Sequence, residues 1–300
     1  MKKFFFLLLN YITTFILLYL CYNKLEKKQL LYIINSIKPF PVTIAIINAL
    51  FFKLIYFSWL WNLVFKLSKV NINFQEIFYL NANTLILKYI IPFKIAEIFR
   101  ALGLKLISKI DILLALSGTI YLKLITIISI FTILIFSCML KSNFHYLSYT
   151  LFLLSIFFII TQIVCFLPDN FFGIQFKQFK HCFAKISING QLKVFIFTAI
   201  MELSEVISLY FIMIAFSVHL QLIDLLYFVG ISKTASMIPI SIQGIGVRES
   251  IAVAVFKNSI PNSSAFSIGF CLTIIYHLLP AISGLLICAY IRLKLMINKQ

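Results

Sequence analysis

Long apolar runs alternate with short basic loops along the chain. Uninterrupted runs fall at about residues 3–22, 41–61, 112–140, 146–168, 192–217 and 264–290. Each reaches the ~20 residues that a helix needs to cross a hydrocarbon core, so six full spans are predicted. Two regions differ. Residues 77–92 are short for a crossing and carry Asn81, Asn83, Thr84 and Lys88. Residues 222–257 are apolar but interrupted by Gly230, Pro239, Gly244 and Gly246, with charges at Lys233, Arg248 and Glu249. Broken helices at membrane depth persist only where protein or a wet cavity covers the freed backbone groups. Both regions therefore read as re-entrant or broken-helix hairpins. The expected fold is an all-α polytopic membrane protein with about six full spans plus two such hairpins. No polar, domain-sized block interrupts the runs, so residues 1–300 read as a single transmembrane domain.

Composition agrees. Of the 300 residues, 62% are hydrophobic and 12% charged, with a mean hydropathy of +1.04. A soluble domain of this length could not hide that much apolar surface. The net charge is +17. It fits attraction to anionic lipid heads and the positive-inside rule, and it also fits compositional drift toward Lys, Ile, Asn and Phe. The basic residues are scattered between spans rather than gathered on one polar face, which excludes nucleic acid as a partner. Lys2 and Lys3, the Lys94–Lys109 stretch, the loop with Lys177, Lys180, Lys185 and Lys193, and Arg292, Lys294 and Lys299 place both termini on the cytoplasmic side. The loop with Lys24, Lys27, Lys28 and Lys38 falls outside and breaks the rule. The start, Met1-Lys2-Lys3 and an apolar run, lacks a small-x-small cleavage site and reads as a retained anchor. Cys21, Cys138, Cys165, Cys182, Cys271 and Cys288 form no C-x-x-C pair and read as small buried hydrophobes.

An internal echo follows from the two broken regions. Ile91-Pro92-Phe93-Lys94-Ile95 resembles Ile238-Pro239-Ile240-Ser241-Ile242, and each is followed by an arginine, Arg100 or Arg248. Each then leads into a long apolar span carrying Tyr121 and Lys123, or Tyr276 and His277. The predicted topology enters the first hairpin from inside and the second from outside. That is the pattern of inverted repeats, which in transporters meet at the midplane and form the site there.

A charge at the bilayer centre costs at least ~2.5–3.5 kcal/mol, so each one needs a partner or a purpose. The candidates are Lys53, Lys88, Glu97, Arg100, Lys123, Glu202, Glu205, Lys233, Arg248, Glu249 and His277. Basic members outnumber acidic ones, which suits a phosphate-bearing guest. Glu202 and Glu205, three apart, share a helix face. They read either as a proton or cation relay or as a lock on the second hairpin through Lys233 or Arg248. Gly244-x-Gly246-x-Arg248-Glu249 offers a helix start with free N–H groups and a guanidinium, a combination suited to anions; a packing break capped by Arg248 and Glu249 is the other reading. Residues 94–110 read as an interfacial amphipathic helix with a Glu97–Arg100 pair, and Lys53 and Lys88 read as snorkelling side chains. No H-E-x-x-H, G-x-S-x-G or P-loop pattern is present, and no cofactor or metal is expected.

Pro92, Glu97 and Arg100, then Pro239 and Gly244-Ile245-Gly246-Val247-Arg248-Glu249, resemble the membrane domain of lysylphosphatidylglycerol synthetases and its stand-alone, flippase-like relatives. The resemblance spans nearly the whole chain. It implies a helical membrane fold and, for the full synthetase, transfer of aminoacylated phospholipid between leaflets. The soluble lysyl-transfer domain has no counterpart here, which argues against an enzyme. Ala96, Gln243, Lys123, His277 and Thr126 depart from the family's usual residues.

These readings converge on a lipid translocase for an anionic phosphate-headed or aminoacylated lipid, either a phospholipid or a polyprenyl-phosphate type. The expected substrate site is Glu97, Arg100, Lys123, Lys233, Gly244, Gly246, Arg248, Glu249 and His277. Arg100 and Arg248 would hold phosphate, Glu97 and Glu249 would orient them, and Glu202 and Glu205 would gate or couple to protons. The alternatives are a membrane transferase acting on a lipid-linked substrate, and a non-transporting subunit that recruits a soluble phosphatidylglycerol lysyltransferase-type enzyme.

Overall fold

The computed structural model describes residues 14, 16, 19, 37–90, 96–141, 186–237 and 241–297. Helix α1, Pro39–Leu67, contains a π turn at Phe51–Tyr56. Helices α2, Phe74–Ile90, and α3, Ala96–Ser108, follow, and then α4, Ile112–Leu140. Next come α5, Ile188–Ala215, α6, Leu222–Met237, a short 3-10 turn, Ile242–Gly244, and α7, Val247–Phe256. Helix α8 runs from Asn262–Leu272 through a second π turn, Thr273–Leu278, into Leu279–Ile297. Among the described residues, α1, α4, α5 and the Asn262–Ile291 part of α8 are long and apolar enough to cross a membrane.

Local chemistry sets the helix ends. Asp111 and Ser187 cap α4 and α5 by accepting from the Leu113 and Gly190 N–H groups. Helices α1 and α5 stop the same way. Lys69 and Ser217 take left-handed backbone, with φ 61 and 54. The Val70 N–H then reaches back to the Phe65 carbonyl at 2.9 Å, and Val218 to Met213 at 3.0 Å.

Helix α5 shows why the fold needs lipid. Its exposed stripe is Ile196, Ile200, Leu203, Ile207 and Tyr210, at helical spacing. Its buried face carries Thr198, Glu202, Ser204, Glu205 and Ser208. Polar residues inside and apolar residues outside suit a hydrocarbon solvent and no aqueous one.

The two halves of the chain cross each other. Helices α1 and α5 run antiparallel: the Lys38 N–H donates to Ala215 O at 3.0 Å, Asn48 Nδ2 to Ser204 O at 2.7 Å, and Tyr56 Oη to Phe197 O at 3.0 Å. Helix α2 lies antiparallel on α8, with Gly284 against the Ala82 backbone and Cys288 Sγ on Tyr79 O. Helix α6 lies antiparallel on α4, with Gly230 against Leu134 and Lys141 Nζ 2.6 Å from Asp224 Oδ1. Each half thus places its last long helix against the other half's first hairpin arm. Three equivalent pairs, Phe65 and Met213, Phe74 and Leu222, and Arg100 and Arg248, are each 148 residues apart.

The predicted spans at 41–61, 112–140, 192–217 and 264–290 coincide with α1, α4, α5 and α8. Those at 3–22 and 146–168 lie outside the described residues, apart from Thr14, Ile16 and Tyr19, which are helical. Pro92, Pro239 and the basic loops at 24–28 and 177–185 lie outside them too. Of the amphipathic stretch predicted at 94–110, Ala96–Ser108 is helical and keeps Ile98, Phe99, Leu106 and Ile107 exposed. Helix α3 folds back along α2 with Ala101 and Leu104 fully buried, Gly103 on Leu80, and Ser108 Oγ donating to Glu76 Oε2 at 2.5 Å. Helices α2 and α3 thus pack antiparallel as a helical hairpin.

Candidate functional site

A cavity of about 180 Å³ opens where the arms of both hairpins meet α1, α4, α5 and α8. A cavity near 150 Å³ holds a guest the size of benzene. Six lysines and arginines line it, Lys53, Lys88, Arg100, Lys123, Lys233 and Arg248, against three glutamates, Glu97, Glu202 and Glu205. Tyr276, His277, Gln243, Thr126 and Ser236 also face it.

The acidic groups are all engaged. Lys233 bridges Glu202 and Glu205, with Nζ 2.9 Å from Glu205 Oε2. His277 Nε2 lies 3.1 Å from Glu205 Oε1. This joins α6, α5 and α8 at the cavity floor, as the lock reading of the two carboxylates anticipates. Both are buried in protein, at 4% and 0% exposure, rather than turned to lipid. Glu97 sits between Arg100, at 2.8 Å, and Lys88, at 3.7 Å.

The two arginines differ sharply. Arg100 donates from Nε to Thr84 Oγ1 at 2.9 Å, from Nη1 to Glu97 and from Nη2 to Asn81 Oδ1 at 3.0 Å. Its guanidinium also lies against the rings of Phe57 and Trp61. Arg248 is 4% exposed, yet its Nε and Nη1 have no hydrogen-bond partner among the described residues. Among the described residues, two nitrogens of the guanidinium expected to hold phosphate lack a partner in Arg248, whereas all three are engaged in Arg100.

The Gly-rich turn explains where Arg248 points. Gln243, Gly244 and Gly246 all take positive φ, at 51, 81 and 85. This is cheap for glycine and strained for glutamine. Glu249 is fully buried and does not orient Arg248, contrary to expectation. It accepts from the Gly246 N–H at 2.6 Å and from Thr273 Oγ1 at 2.7 Å. The helix start is therefore capped by the chain's own carboxylate. Gly244, Gly246 and Glu249 build the turn and do not line the cavity, whereas Glu97, Arg100, Lys123, Lys233, Arg248 and His277 do.

Sequence reasoning missed the place of Lys53, Lys88, Gln243 and Tyr276. Lys53 and Lys88 do not snorkel; they turn into the cavity. Lys53 stands on the first π turn and Tyr276 on the second, each an opening in a helix of a kind often found at functional sites. Asn81 Nδ2 donates to the loosened Lys53 and Leu54 carbonyls, at 2.9 and 3.3 Å. Tyr276 is fixed by Ser204 and by Met201 O. Among the described residues, no group of His, Cys, Asp and Glu is placed to hold a metal.

These features define an integral helical membrane protein with a cation-rich cavity among its helices. The chain belongs to the family of the lysylphosphatidylglycerol synthase transmembrane region, whose model matches residues 7–284. A comparison with curated proteins finds no match.

Proposed function

We propose that this chain carries a lipid with an anionic phosphate head across a bacterial cytoplasmic membrane, with its head in the cavity and its tails in lipid. The observation that carries the reading is Arg248: a buried guanidinium, without a hydrogen-bond partner among the described residues on two of its nitrogens, lining a polar cavity. A buried unpaired charge is costly, and an anionic guest removes that cost. Phosphate matches the guanidinium fork in shape as well as charge. Family membership supports a lipid-related role at the membrane.

In this reading the two halves are inverted repeats. The antiparallel α1–α5 pair, the exchanged α4 and α8 and the 148-residue spacing support it. The hairpins α2–α3 and α6–α7 enter the membrane and return, the site lies between them, and both termini are cytoplasmic. Glu202 and Glu205 hold Lys233 and His277 in place and thereby set the shape of the floor; Arg100 holds the first hairpin.

The test is leaflet exchange in vesicles containing the purified protein and a trace of phosphatidic acid labelled on its acyl chain. Wild-type protein should expose the inner-leaflet label to an external quencher, and Arg248→Gln at equal reconstitution should not. Equal rates for the two proteins would remove the phosphate reading.

A further inference from the structure

We infer that the guest head is a phosphomonoester or diphosphate, and neither a phosphodiester nor an aminoacylated phosphate; this rests on the phosphate reading above and narrows it. The argument is a charge inventory of the cavity wall. Each of the three lining carboxylates already has a basic partner: Glu97 has Arg100 and Lys88, Glu202 has Lys233, and Glu205 has Lys233 and His277. Three cations remain outside any ion pair with a described carboxylate: Lys53, Lys123 and Arg248. They come from α1, α4 and α7, so they surround the space instead of sharing one helix.

A guest is judged by what it does to this balance. A phosphodiester head brings one negative charge and leaves two cations uncompensated at close quarters in a poorly screened site. A phosphomonoester brings close to two charges and three strong acceptor oxygens at neutral pH. A diphosphate brings more. Either can take the Arg248 fork on one side and a lysine on the other. An aminoacylated head brings an ammonium group, which would need a carboxylate. It would have to break the Lys233 bridge or the Glu97 pair to obtain one, leaving a buried lysine or arginine behind.

The experiment is a set of binding titrations on the full-length protein in nanodiscs of neutral lipid, followed by calorimetry. The probes are dodecyl phosphate, short-chain phosphatidylglycerol, short-chain lysylphosphatidylglycerol and inorganic phosphate. We expect dodecyl phosphate to bind at least tenfold more tightly than either glycerol lipid. Lys53→Met and Lys123→Met should each reduce that preference several-fold, and Arg248→Gln should abolish binding of all the lipids. Equal affinity for the monoester and the diester would overturn the inference while leaving the phosphate reading intact. Tightest binding of the lysyl lipid would overturn it and assign the cavity to the aminoacylated class. Inorganic phosphate binding as tightly as dodecyl phosphate would make the ligand a soluble anion. No binding by any probe, with Arg248→Gln exchanging phosphatidic acid as fast as wild type, would end the underlying phosphate reading as well.

Discussion

Lys53 Nζ lies 4.3 Å from the centre of the Tyr276 ring, and each residue stands on a π turn. The lysine is thus held over an aromatic face, a favourable place for a cation that lacks a carboxylate. Asn81 secures the turn from below.

In the proposed reading Lys53 serves binding and not folding. Lys53→Met removes a charge that Lys233 and Arg248 repel and that Glu205 and Glu202 attract. The thermal midpoint in detergent should hold, while affinity for dodecyl phosphate should fall at least tenfold. A lower midpoint with unchanged affinity would assign Lys53 to folding.

Arg100 and Arg248 should respond in opposite directions. Arg100→Gln forfeits hydrogen bonds to Thr84, Glu97 and Asn81, each charge-assisted bond being worth about 1.5–3 kcal/mol. The loss should be on the order of 3 kcal/mol, read as a lower unfolding midpoint. Arg248→Gln removes a buried charge with no ion-pair partner among the described residues and should leave the midpoint equal or higher. Asn81→Ala combined with Arg100→Gln should cost less than the two separately, because the residues share one network. Matching midpoints for the two arginine variants would contradict the division of labour.

Lys233 holds two buried carboxylates at once. Lys233→Met should destabilise by about 3–5 kcal/mol, the cost of stranding buried charge. Replacing Glu202 and Glu205 by Gln in the same chain should recover most of that loss. A triple variant no more stable than Lys233→Met would show that shape, and not charge, is what Lys233 supplies.

The second hairpin should begin and end on one face of the membrane. Cysteines introduced at Gln221 and Lys257, in a chain freed of its native cysteines, should react with an impermeant reagent added to the same side of oriented vesicles. Labelling from opposite faces would make α6–α7 a full crossing and remove the inverted-repeat reading.

Much of this architecture is legible in the sequence because membrane spans are set by length and apolarity alone. The four long helices fall where the apolar runs are. The first hairpin was harder to delimit: α3 carries Glu97, Arg100 and Lys105 among Ile98, Phe99, Leu106 and Ile107, a pattern equally suited to a helix lying on the membrane surface. Its burial depends on Leu80 meeting Gly103, a contact between two helices that no local pattern encodes. The same limit hid Lys53. Phe51–Tyr56 contains no proline or glycine, so nothing in those residues announces a π turn. The equivalence of Arg100 and Arg248 could be read from the echo. Which of them is free could not, since Thr84 and Asn81 reach Arg100 from another helix and no described residue does the same for Arg248.

The exchange of long helices between halves has a consequence for biosynthesis. Helix α2 finds its partner from the other half in α8, as in the contact of Tyr79 with Cys288, 209 residues later. At about 5–20 residues per second, the ribosome needs some ~10–40 s to supply it. During that interval Lys53, Lys88, Arg100 and Lys123 have emerged with Glu97 as the one acidic group of their half that lines the cavity. The nascent first half therefore waits, basic and incompletely covered, until the last span arrives to close it.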